Sequence, residues 1–360
     1  MDEKKKLYPL KFRCGKFDKS WGTEWWHIAD MGFEDSEVEN GWLSGNSISD
    51  VMETYLERLV GDNVFRFFGR QFPVLVKNIE LDGKGPVMLH PDDQTAAERY
   101  DALGKSELWY VREAADGAKL YIGLKESLSA TEFFEKCMAG NIREAMNEIP
   151  AVAGQCFMIK PGVLHSAAGK LSLTAVMESS DVNFVLEGND EFDTDTKIAL
   201  LSESIDVVDL NRYEPGTGVI PQEEDGMFVT LAEEPEFVVT KISLTDPLKV
   251  KTGEFESFIE YVCLGGAFSV QLVEDGKTVK YDVKAGEVIL VPAETDDFIL
   301  APESGDAVLL EVTVRIAEAE DEYINKDTEP YLEGEDYGGA EEQDDEEEPV
   351  AQNPLGFFGK

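Results

Sequence analysis

The amino-acid sequence predicts a mainly β protein with two similar barrels, a small helical insertion in the first barrel and a disordered acidic C-terminal tail. Three observations lead there: many short β-type segments, one internal repeat, and a change of composition after residue 316. A chain of 360 residues is long enough for more than one domain. We therefore expect domains at residues 1–225 and 226–316, with the tail at 317–360.

Short runs of β-branched and aromatic residues, separated by Gly, Pro and Asp, are typical of strands in a sandwich or small barrel. The clearest runs lie at residues 74–79, 108–111, 156–159, 258–263 and 288–291. Two other patches have helical spacing. The first covers residues 49–60 and stops at Gly61, and the second starts at Ser129, which has capping-box spacing with Glu132.

An internal repeat supports the two-barrel prediction. Residues 153–165 (AGQCFMIKPGVLH) and 285–297 (AGEVILVPAETDD) both begin with Ala-Gly, continue with five mostly apolar residues and a turn, and end on a polar residue. The pattern is similar to the second motif of the cupin (jelly-roll) barrel, whose last residue is a metal-binding His. The first copy ends at His165 and the second at Asp297. The resemblance therefore implies two cupin barrels with a metal site in the first only.

The formal net charge of −42 limits the choice of partners. The predicted tail contributes 16 acidic and 2 basic side chains, which leaves −28 on the rest of the chain. Such a field repels nucleic acid and anionic membranes, so neither is an expected partner. A phosphorylated substrate would be repelled at long range too, and its phosphate would need a local basic pocket.

The sequence predicts a cytoplasmic location. No apolar run approaches the roughly 20 residues that a spanning helix requires, and the charged start MDEKKK leads into no apolar core of a secretory signal. The four cysteines are scattered without metal-ligand or redox spacing. Lone cysteines of this kind usually behave as small apolar core residues in a reducing compartment.

Only three histidines are available as metal ligands: His27, His90 and His165. His90 leads a sharp turn directly after an apolar strand, and Glu107 follows seventeen residues later. Two neutral imidazoles and one carboxylate are a common ligand set for Zn²⁺ or a similar divalent ion, and they leave a coordination position open. His27 should face away from Trp26 if that stretch alternates, so we do not expect it to be a ligand.

Several blocks occur in a characteristic order: YPLKF at residues 8–12, FPVLVK at 72–77, HPDD at 90–93, GKSELWYV at 104–111 and GAKLYIG at 117–123. In this order, residues 7–316 resemble class I mannose-6-phosphate isomerase in its short bacterial form. The resemblance implies aldose–ketose isomerisation of mannose 6-phosphate and fructose 6-phosphate. It also implies one Zn²⁺ or other divalent ion per chain, and a small-molecule sugar phosphate as partner.

Carried over by position, the resemblance gives roles to individual residues. His90, Glu107 and His165 would be the metal ligands. Lys105 and Lys77 would be substrate-binding cations near the sugar phosphate. Lys105 and Glu24 would be catalytic, with Glu24 in the EWWHI run at residues 24–28.

Three positions depart from the family pattern. Met88 stands where the family has a metal-ligand Gln, Pro86 where it has a Ser, and Val185 where it has a catalytic Arg. A thioether is a poor ligand for such metals, and valine supplies neither charge nor donor. The nearby cations that could compensate for Val185 are Arg99, Arg112 and Lys160.

Three hypotheses follow from this mixture. The first is a metal-dependent sugar-phosphate isomerase, possessing the His90, Glu107 and His165 set. The second is a catalytically impaired paralogue that binds a sugar or sugar phosphate as a sensor or regulator, which Met88, Pro86 and Val185 favour. The third is a structural or interaction protein that presents the acidic tail. The oligomeric state is left open by the sequence.

Overall fold

A computed structural model describes residues 5–188, 192–216, 218–220, 227–274, 276–303 and 305–315. Strands make up 43% of it and helices 19%, which confirms the mainly β prediction. The predicted tail at 317–360 lies outside the described residues. No helix in the described ranges is long and apolar enough to cross a membrane.

Ten strands in the first part of the chain form one antiparallel sheet. They are β1 (Gly15–Lys19), β2 (Gly22–His27), β3 (Val74–Lys84), β4 (Val87–Leu89), β5 (Glu107–Ala114), β6 (Lys119–Leu124), β7 (Met146–Pro150), β8 (Cys156–Ile159), β9 (His165–Glu178) and β10 (Phe184–Glu187). The main path is β1-β2-β3-β9-β4-β10, and β5 and β6 also pair with β9. Strand β9 therefore joins the whole sheet.

Six α-helices accompany this sheet: α1 (Ile48–Tyr55), α2 (Glu57–Val60), α3 (Asp62–Phe68), α4 (Asp93–Tyr100), α5 (Ala130–Met138) and α6 (Thr194–Ser204). The capping box predicted at Ser129 is confirmed, because its Oγ accepts from the Glu132 N–H while the Glu132 carboxylate accepts from the Ser129 N–H. It fixes the start of α5, whose Phe133 is buried.

The prediction of a single helix over residues 49–60 is wrong, because the chain breaks at Leu56, where φ is +48°. The carbonyls at the end of this segment bond to the second part of the chain. The Val60 carbonyl accepts from the Phe258 N–H at 3.1 Å, and the Leu59 carbonyl accepts from the Ala293 N–H at 2.8 Å. The last carbonyls of any helix have no partner inside it, so these bonds hold α2 against the second part without accounting for the break at Leu56.

The second part of the chain consists of two facing sheets. Their strands are β11 (Phe228–Glu233), β12 (Val238–Leu244), β13 (Leu248–Val250), β14 (Ile259–Gly265), β15 (Ala267–Glu274), β16 (Lys277–Lys284), β17 (Val288–Val291), β18 (Phe298–Pro302) and β19 (Ala307–Thr313). The sheet orders are β11-β12-β19-β14-β17 and β13-β18-β15-β16. Buried residues from both sheets form one apolar core between them.

The sequence repeat is also a structural repeat. Gly154 and Gly286 have nearly equal φ angles of +88° and +87°, which favour glycine. The Gly154 N–H donates to the Val111 carbonyl and the Gly286 N–H to the Cys263 carbonyl, both at 2.8 Å. The strands that follow are β8 and β17, so both predicted copies form a tight turn and a buried strand in the same way.

The described sheets do not close into barrels by hydrogen bonding. In the ten-stranded sheet β1 and β10 are edges, and the second part has two separate sheets. The β architecture predicted for both parts is therefore present, while closure of either into a barrel is not observed in the described strands.

A shared apolar core joins the two parts on the far side of the ten-stranded sheet. It contains Val76 and Leu108 from that sheet and Val262 and Leu310 from the second part, all fully buried. Glu260 lies on β14 between Phe258 and Val262, and it is also fully buried. Neither of its carboxylate oxygens has a hydrogen-bond partner in the described residues, and burial raises the pKa of Glu260 well above its ordinary value.

We predict that Glu260→Leu stabilises the fold by about 1–3 kcal/mol near pH 7. Leucine has a volume similar to that of glutamate, and it replaces a buried carboxyl group that has no hydrogen-bond partner in the described residues. An acid with a raised pKa binds more protons in the folded state, so its cost to folding grows as pH rises above the ordinary Glu value of ~4.3. The gain should therefore increase between pH 5 and pH 8 in urea unfolding.

The control is Glu126→Leu at an exposed position, which should give a small and pH-independent change. A Glu260→Leu protein that is less stable than the parent at pH 8 would contradict this account of the shared core.

Candidate metal centre

Three strand ends bring the predicted ligands together. His90 follows β4 directly, Glu107 begins β5 and His165 begins β9. One ligand atom from each lies within 4.8 Å of the others, and all three residues are buried. The pairing of β4 with β9 is what joins the histidines, because Met88 stands opposite His165 in the register.

The turn after His90 holds the next block of sequence in place. Asp92 caps α4 by accepting from the Thr95 N–H at 2.8 Å, and the Pro91 carbonyl accepts from the Lys105 N–H at 3.0 Å. Gly104 packs so closely here that an added Cβ would lie 2.4 Å from the Asp93 nitrogen. Glycine is therefore needed at 104 to bring Lys105 and Glu107 beside His90.

Backbone carbonyls orient both imidazoles. The His90 Nδ1 is 3.3 Å from the Val182 carbonyl, and the His165 Nδ1 is 2.9 Å from the Val163 carbonyl. If each Nδ1 carries the proton, each Nε2 presents a lone pair to the cluster. Burial keeps the rings neutral, since it lowers the pKa of His165 and, with the charge of Lys105, lowers the pKa of His90 to about 3.

Glu107 supplies the anionic member of the cluster. Its Oε2 accepts from the Trp109 indole N–H at 2.7 Å, and its Oε1 lies 3.0 Å from the His90 Nε2. Burial alone would raise the pKa of Glu107, but His90, His165 and Lys105 together hold the pKa below its ordinary value.

A metal ion fits these groups. The His165 Nε2 is buried without a hydrogen-bond partner in the described residues, and the His90 Nε2 faces the Glu107 Oε1 at 3.0 Å. A neutral imidazole lone pair beside a carboxylate oxygen is unfavourable unless a cation lies between them. Two imidazoles and one carboxylate are the donors of many divalent-metal sites, so the chemistry of the set matches the ion predicted from sequence.

Lys105 is buried next to this cluster, with 1% of its surface exposed. Its Nζ donates to the Asn183 Oδ1 at 2.9 Å. Burial and the charge of Lys77 lower the pKa of Lys105 to about 8, although Glu107, Asp181 and Glu24 act in the opposite direction. Lys105 can therefore lose its proton more easily than an exposed lysine.

Lys77 and Glu24 lie on neighbouring strands, β3 and β2. The Lys77 Nζ is 3.8 Å from the Glu24 Oε2 and 4.0 Å from the centre of the Trp26 ring. The same Glu24 oxygen accepts from the Trp26 indole N–H at 2.8 Å. The structure thus brings the predicted catalytic and substrate-binding residues into one charged group beside the metal cluster.

Two of the three departures from the family pattern also lie in this region. Met88 faces His165 across β4 and β9, and Val185 stands opposite Met88 across β4 and β10. The structure does not place a predicted compensating cation here. Each is ion-paired elsewhere: Arg99 with Asp206, Arg112 with Glu80 and Lys160 with Glu234.

His27 is not part of the cluster. It is buried on the opposite face of the sheet, where its Nε2 lies 3.0 Å from the Asn78 side-chain nitrogen. Burial lowers the pKa of His27 to about 4. The alternation argument from sequence therefore gave the correct face.

Comparison with known proteins finds several similar proteins that are named mannose-6-phosphate isomerases. The chain is 26% identical over 271 residues to a mannose-6-phosphate isomerase of Streptococcus mutans, covering 75% of this chain and 82% of that one. It is 25% identical over 285 residues to mannose-6-phosphate isomerase ManA of Bacillus subtilis, covering 77% and 85%. The chain is therefore similar to mannose-6-phosphate isomerases over 75–77% of its length.

Solved structures extend the likeness to the fold. A mannose 6-phosphate isomerase from Bacillus subtilis superposes with a TM-score of 0.70 at 21% identity, over 86% of this chain and 100% of that one. A variant of phosphomannose isomerase from Salmonella typhimurium gives 0.68 at 13% identity, with the same coverage. No protein-family model matches the chain.

Two residues that orient the isomerase-like site were missed in the sequence analysis. Asn183 accepts from Lys105, and Trp109 donates to Glu107. Trp109 lies in the GKSELWYV block at residues 104–111, and Asn183 lies two residues before Val185. An aromatic two residues after a strand carboxylate lies on the same face, and this spacing could have indicated Trp109.

We predict that His165→Ala loses bound metal, because it removes one of three protein donors from the cluster. Metal content per chain, measured by inductively coupled plasma mass spectrometry after dialysis against Zn²⁺-containing buffer, should fall from about one to near zero. His27→Gln changes a buried histidine on the other face and should keep its metal. Unchanged metal in the His165→Ala protein would refute the ligand assignment.

Proposed function

We propose that this chain interconverts mannose 6-phosphate and fructose 6-phosphate by metal-dependent aldose–ketose isomerisation. The observation that carries the proposal is the buried His90, Glu107 and His165 cluster, whose ligand atoms lie within 4.8 Å of one another, in a chain similar to mannose-6-phosphate isomerases. We assign these three residues as ligands of one Zn²⁺ or similar divalent ion. When bound, the ion would act as a Lewis acid toward the sugar oxygens.

The chain's own residues supply the remaining functions of the reaction. Isomerisation moves a proton between C1 and C2 of the sugar, and this needs a group that can accept and return it. Lys105 is suited to this task at its Nζ, because it is buried, is positioned by Asn183 and has a lowered pKa. The Asn183 contact holds the amine in one orientation beside the metal cluster.

Lys77 and Glu24 are assigned to binding and orientation. Trp26 fixes one oxygen of Glu24, which leaves the other oxygen able to accept from a sugar hydroxyl. Lys77 lies over the Trp26 ring, where its amino group is close to Glu24 and its charge acts on Lys105. The apolar neighbours of the cluster, Trp109 and Ile122, are nearly fully buried and exclude water from it.

A second candidate function is a sugar-phosphate-binding paralogue with impaired catalysis. Met88 beside His165 provides a thioether where a stronger donor is usual, and Val185 provides no charge. These residues would reduce metal affinity and stabilisation of developing charge without removing the pocket. The isomerase and the binding paralogue would both hold the metal, and they differ in whether they convert the substrate.

The wider assignments rest on the same homology. We propose that residues 1–225 and 226–316 are two cupin-type domains, with the metal site in the first. We propose zinc as the resident ion and the cytoplasm as the location, where sugar phosphates are the expected partners. The third hypothesis, a scaffold for the acidic tail, draws no support from the buried cluster.

We expect purified, Zn²⁺-loaded protein to convert mannose 6-phosphate to fructose 6-phosphate in a coupled spectrophotometric assay. Lys105→Gln should lower kcat by on the order of 10²–10⁴-fold while metal content stays unchanged, because only proton transfer is removed. Absence of turnover by the parent protein at stoichiometric metal would instead support the binding paralogue.

A separate variant tests the role of Met88. Met88→Gln introduces an amide oxygen, a harder donor, and should tighten Zn²⁺ binding by on the order of tenfold in a competition titration with a chromogenic chelator. Met88→Leu is the matched control, since it removes the sulfur at similar volume and should leave affinity unchanged. Weaker binding in Met88→Leu would mean that the thioether is itself a ligand.

A further inference from the structure

Glu178 is a buried acid that has no role in the proposed reaction. It ends strand β9, and 2% of its surface is exposed. Its Oε2 accepts from the Ser106 N–H at 2.7 Å, while its Oε1 is buried without a hydrogen-bond partner in the described residues. Burial raises the pKa of Glu178 well above its ordinary value, and the nearby acids Asp93 and Glu236 act in the same direction. The position is therefore unfavourable for a carboxyl group.

Glu178 differs from the buried acid Glu260 in its backbone contacts. Glu260 has no hydrogen-bond partner at either oxygen in the described residues, whereas Glu178 bonds to the segment that precedes β5. The Glu178 N–H also donates to the Ser106 carbonyl at 3.4 Å. Ser106, which follows Lys105 directly, is thus held by both the backbone and the side chain of Glu178.

Three consecutive backbone N–H groups around Lys105 are bonded, and two of their acceptors are carboxyl groups. For residues 104, 105 and 106, the acceptors are in order Asp93 Oδ1 at 2.9 Å, the Pro91 carbonyl at 3.0 Å and Glu178 Oε2 at 2.7 Å. The two carboxyl groups therefore hold the chain immediately before and immediately after Lys105.

Regular secondary structure does not fix this segment. Helix α4 ends at Tyr100, and the ladder between β5 and β9 begins with Glu107 opposite Met177. Residues 104–106 lie between these elements, so their conformation depends on the bonds that their own N–H groups make. Because the side chain of Lys105 starts from this backbone, its course toward Asn183 depends on those bonds as well.

We propose that Glu178 and Asp93 are positioning residues for Lys105, which their carboxyl groups hold in place through the backbone of Gly104 and Ser106. This inference rests on the proposed function, in which the Lys105 Nζ moves a proton. The role requires an acceptor oxygen rather than a negative charge, because each carboxyl group receives a backbone N–H. A reacting group displaced by about 1 Å can lose ~10²-fold in rate, so losing either bond should reduce catalysis while the reacting groups remain present.

The first test compares Glu178→Leu with Glu178→Gln in the Zn²⁺-loaded protein. Leucine removes the acceptor, so kcat for mannose 6-phosphate should fall by on the order of 10–10²-fold, while KM and metal content stay within about twofold of the parent. Glutamine keeps an acceptor oxygen and should restore kcat to within about threefold of the parent. A Gln variant as impaired as the Leu variant would overturn the acceptor role.

Asp93→Ala and Asp93→Asn form a second pair at a half-buried position, and they test the same segment even if Glu178→Leu does not fold. Alanine removes the acceptor of the Gly104 N–H and should lower kcat in the same range. Asparagine keeps an acceptor oxygen and should restore it. Parent-like kcat in Asp93→Ala and in Glu178→Leu, where the latter folds, would overturn the proposal.

Hydrogen exchange gives a readout that does not depend on turnover. Glu178→Leu should speed exchange at the Ser106 amide by about 10–10²-fold, measured by mass spectrometry of peptides that contain it, because the amide loses its acceptor. Glu178→Gln should exchange as the parent does.

Glu236→Leu is the matched control. Glu236 is a half-buried acid of the same group, and its Oε2 has no hydrogen-bond partner in the described residues, while the N–H groups of residues 104–106 bond to other acceptors. Its kcat and its exchange at Ser106 should equal those of the parent. An effect as large as that of Glu178→Leu would overturn the proposal, since it would indicate a general effect of the acidic group.

Labelling of Lys105 by an amine-reactive reagent separates this inference from the proposed function. The parent should label slowly because Lys105 is 1% exposed, and Glu178→Leu should label faster. If the parent does not turn over mannose 6-phosphate, faster labelling and exchange in Glu178→Leu would support the positioning role while refuting the isomerase. Turnover by the parent, with kcat, exchange and labelling all unchanged in Glu178→Leu, would support the isomerase while refuting the positioning role.

Discussion

The register of strand β9 determines where every candidate ligand lies, because this strand pairs with β3, β4, β5 and β6. Its first residue, His165, meets Met88 of β4, and its far end places Met177 opposite Glu107 of β5. A slip of one residue would turn His165 from the interior to the other face. The apolar residues along β9 prevent such a slip, since Leu171, Leu173 and Ala175 alternate into the same core.

The electrostatics of the site follow from this packing. Burial disfavours charge on His90 and Lys105, whereas Glu107 keeps its charge because neighbouring groups stabilise it. A site with one stable anion and two neutral imidazoles attracts a divalent cation more than a proton. The backbone carbonyls of Val163 and Val182 lie beside the two Nδ1 atoms, and they favour the tautomer in which each Nε2 lone pair points to the cluster.

The features that depend on residues close together in the sequence could be predicted from it. The capping box at Ser129 and the glycines at 154 and 286 form through neighbours in sequence, so their patterns gave correct elements. The grouping of His90, Glu107 and His165 was predictable for a different reason, because so few histidines were available and the motifs had a recognisable order.

The remaining features depend on partners that are distant in sequence. The break at Leu56 interrupts a good helical pattern, and the Leu59 and Val60 carbonyls beyond it bond to the distant second part of the chain. Arg112 was a reasonable candidate for a catalytic cation, but it pairs with Glu80 instead. A cavity lined by Lys84 at the end of β3 and Lys197 of α6 joins a strand end to a helix more than a hundred residues later, and no spacing in the sequence indicates this arrangement.

The two β parts share a turn motif but use their interiors differently. The second part fills its core with Tyr261, Phe268 and Phe298, whose rings pack edge to face. The described residues of this part hold no group of three His, Cys, Asp or Glu side chains that could bind an ion. This part also packs against the back of the first sheet, where Phe258 lies 4.8 Å from Phe72 between ring centres. Burial of apolar surface at this contact stabilises the fold by about 25 cal/mol per Å². This stabilisation offsets the free-energy cost of burying polar groups inside the first part. The part without a site therefore helps to stabilise the part that holds it.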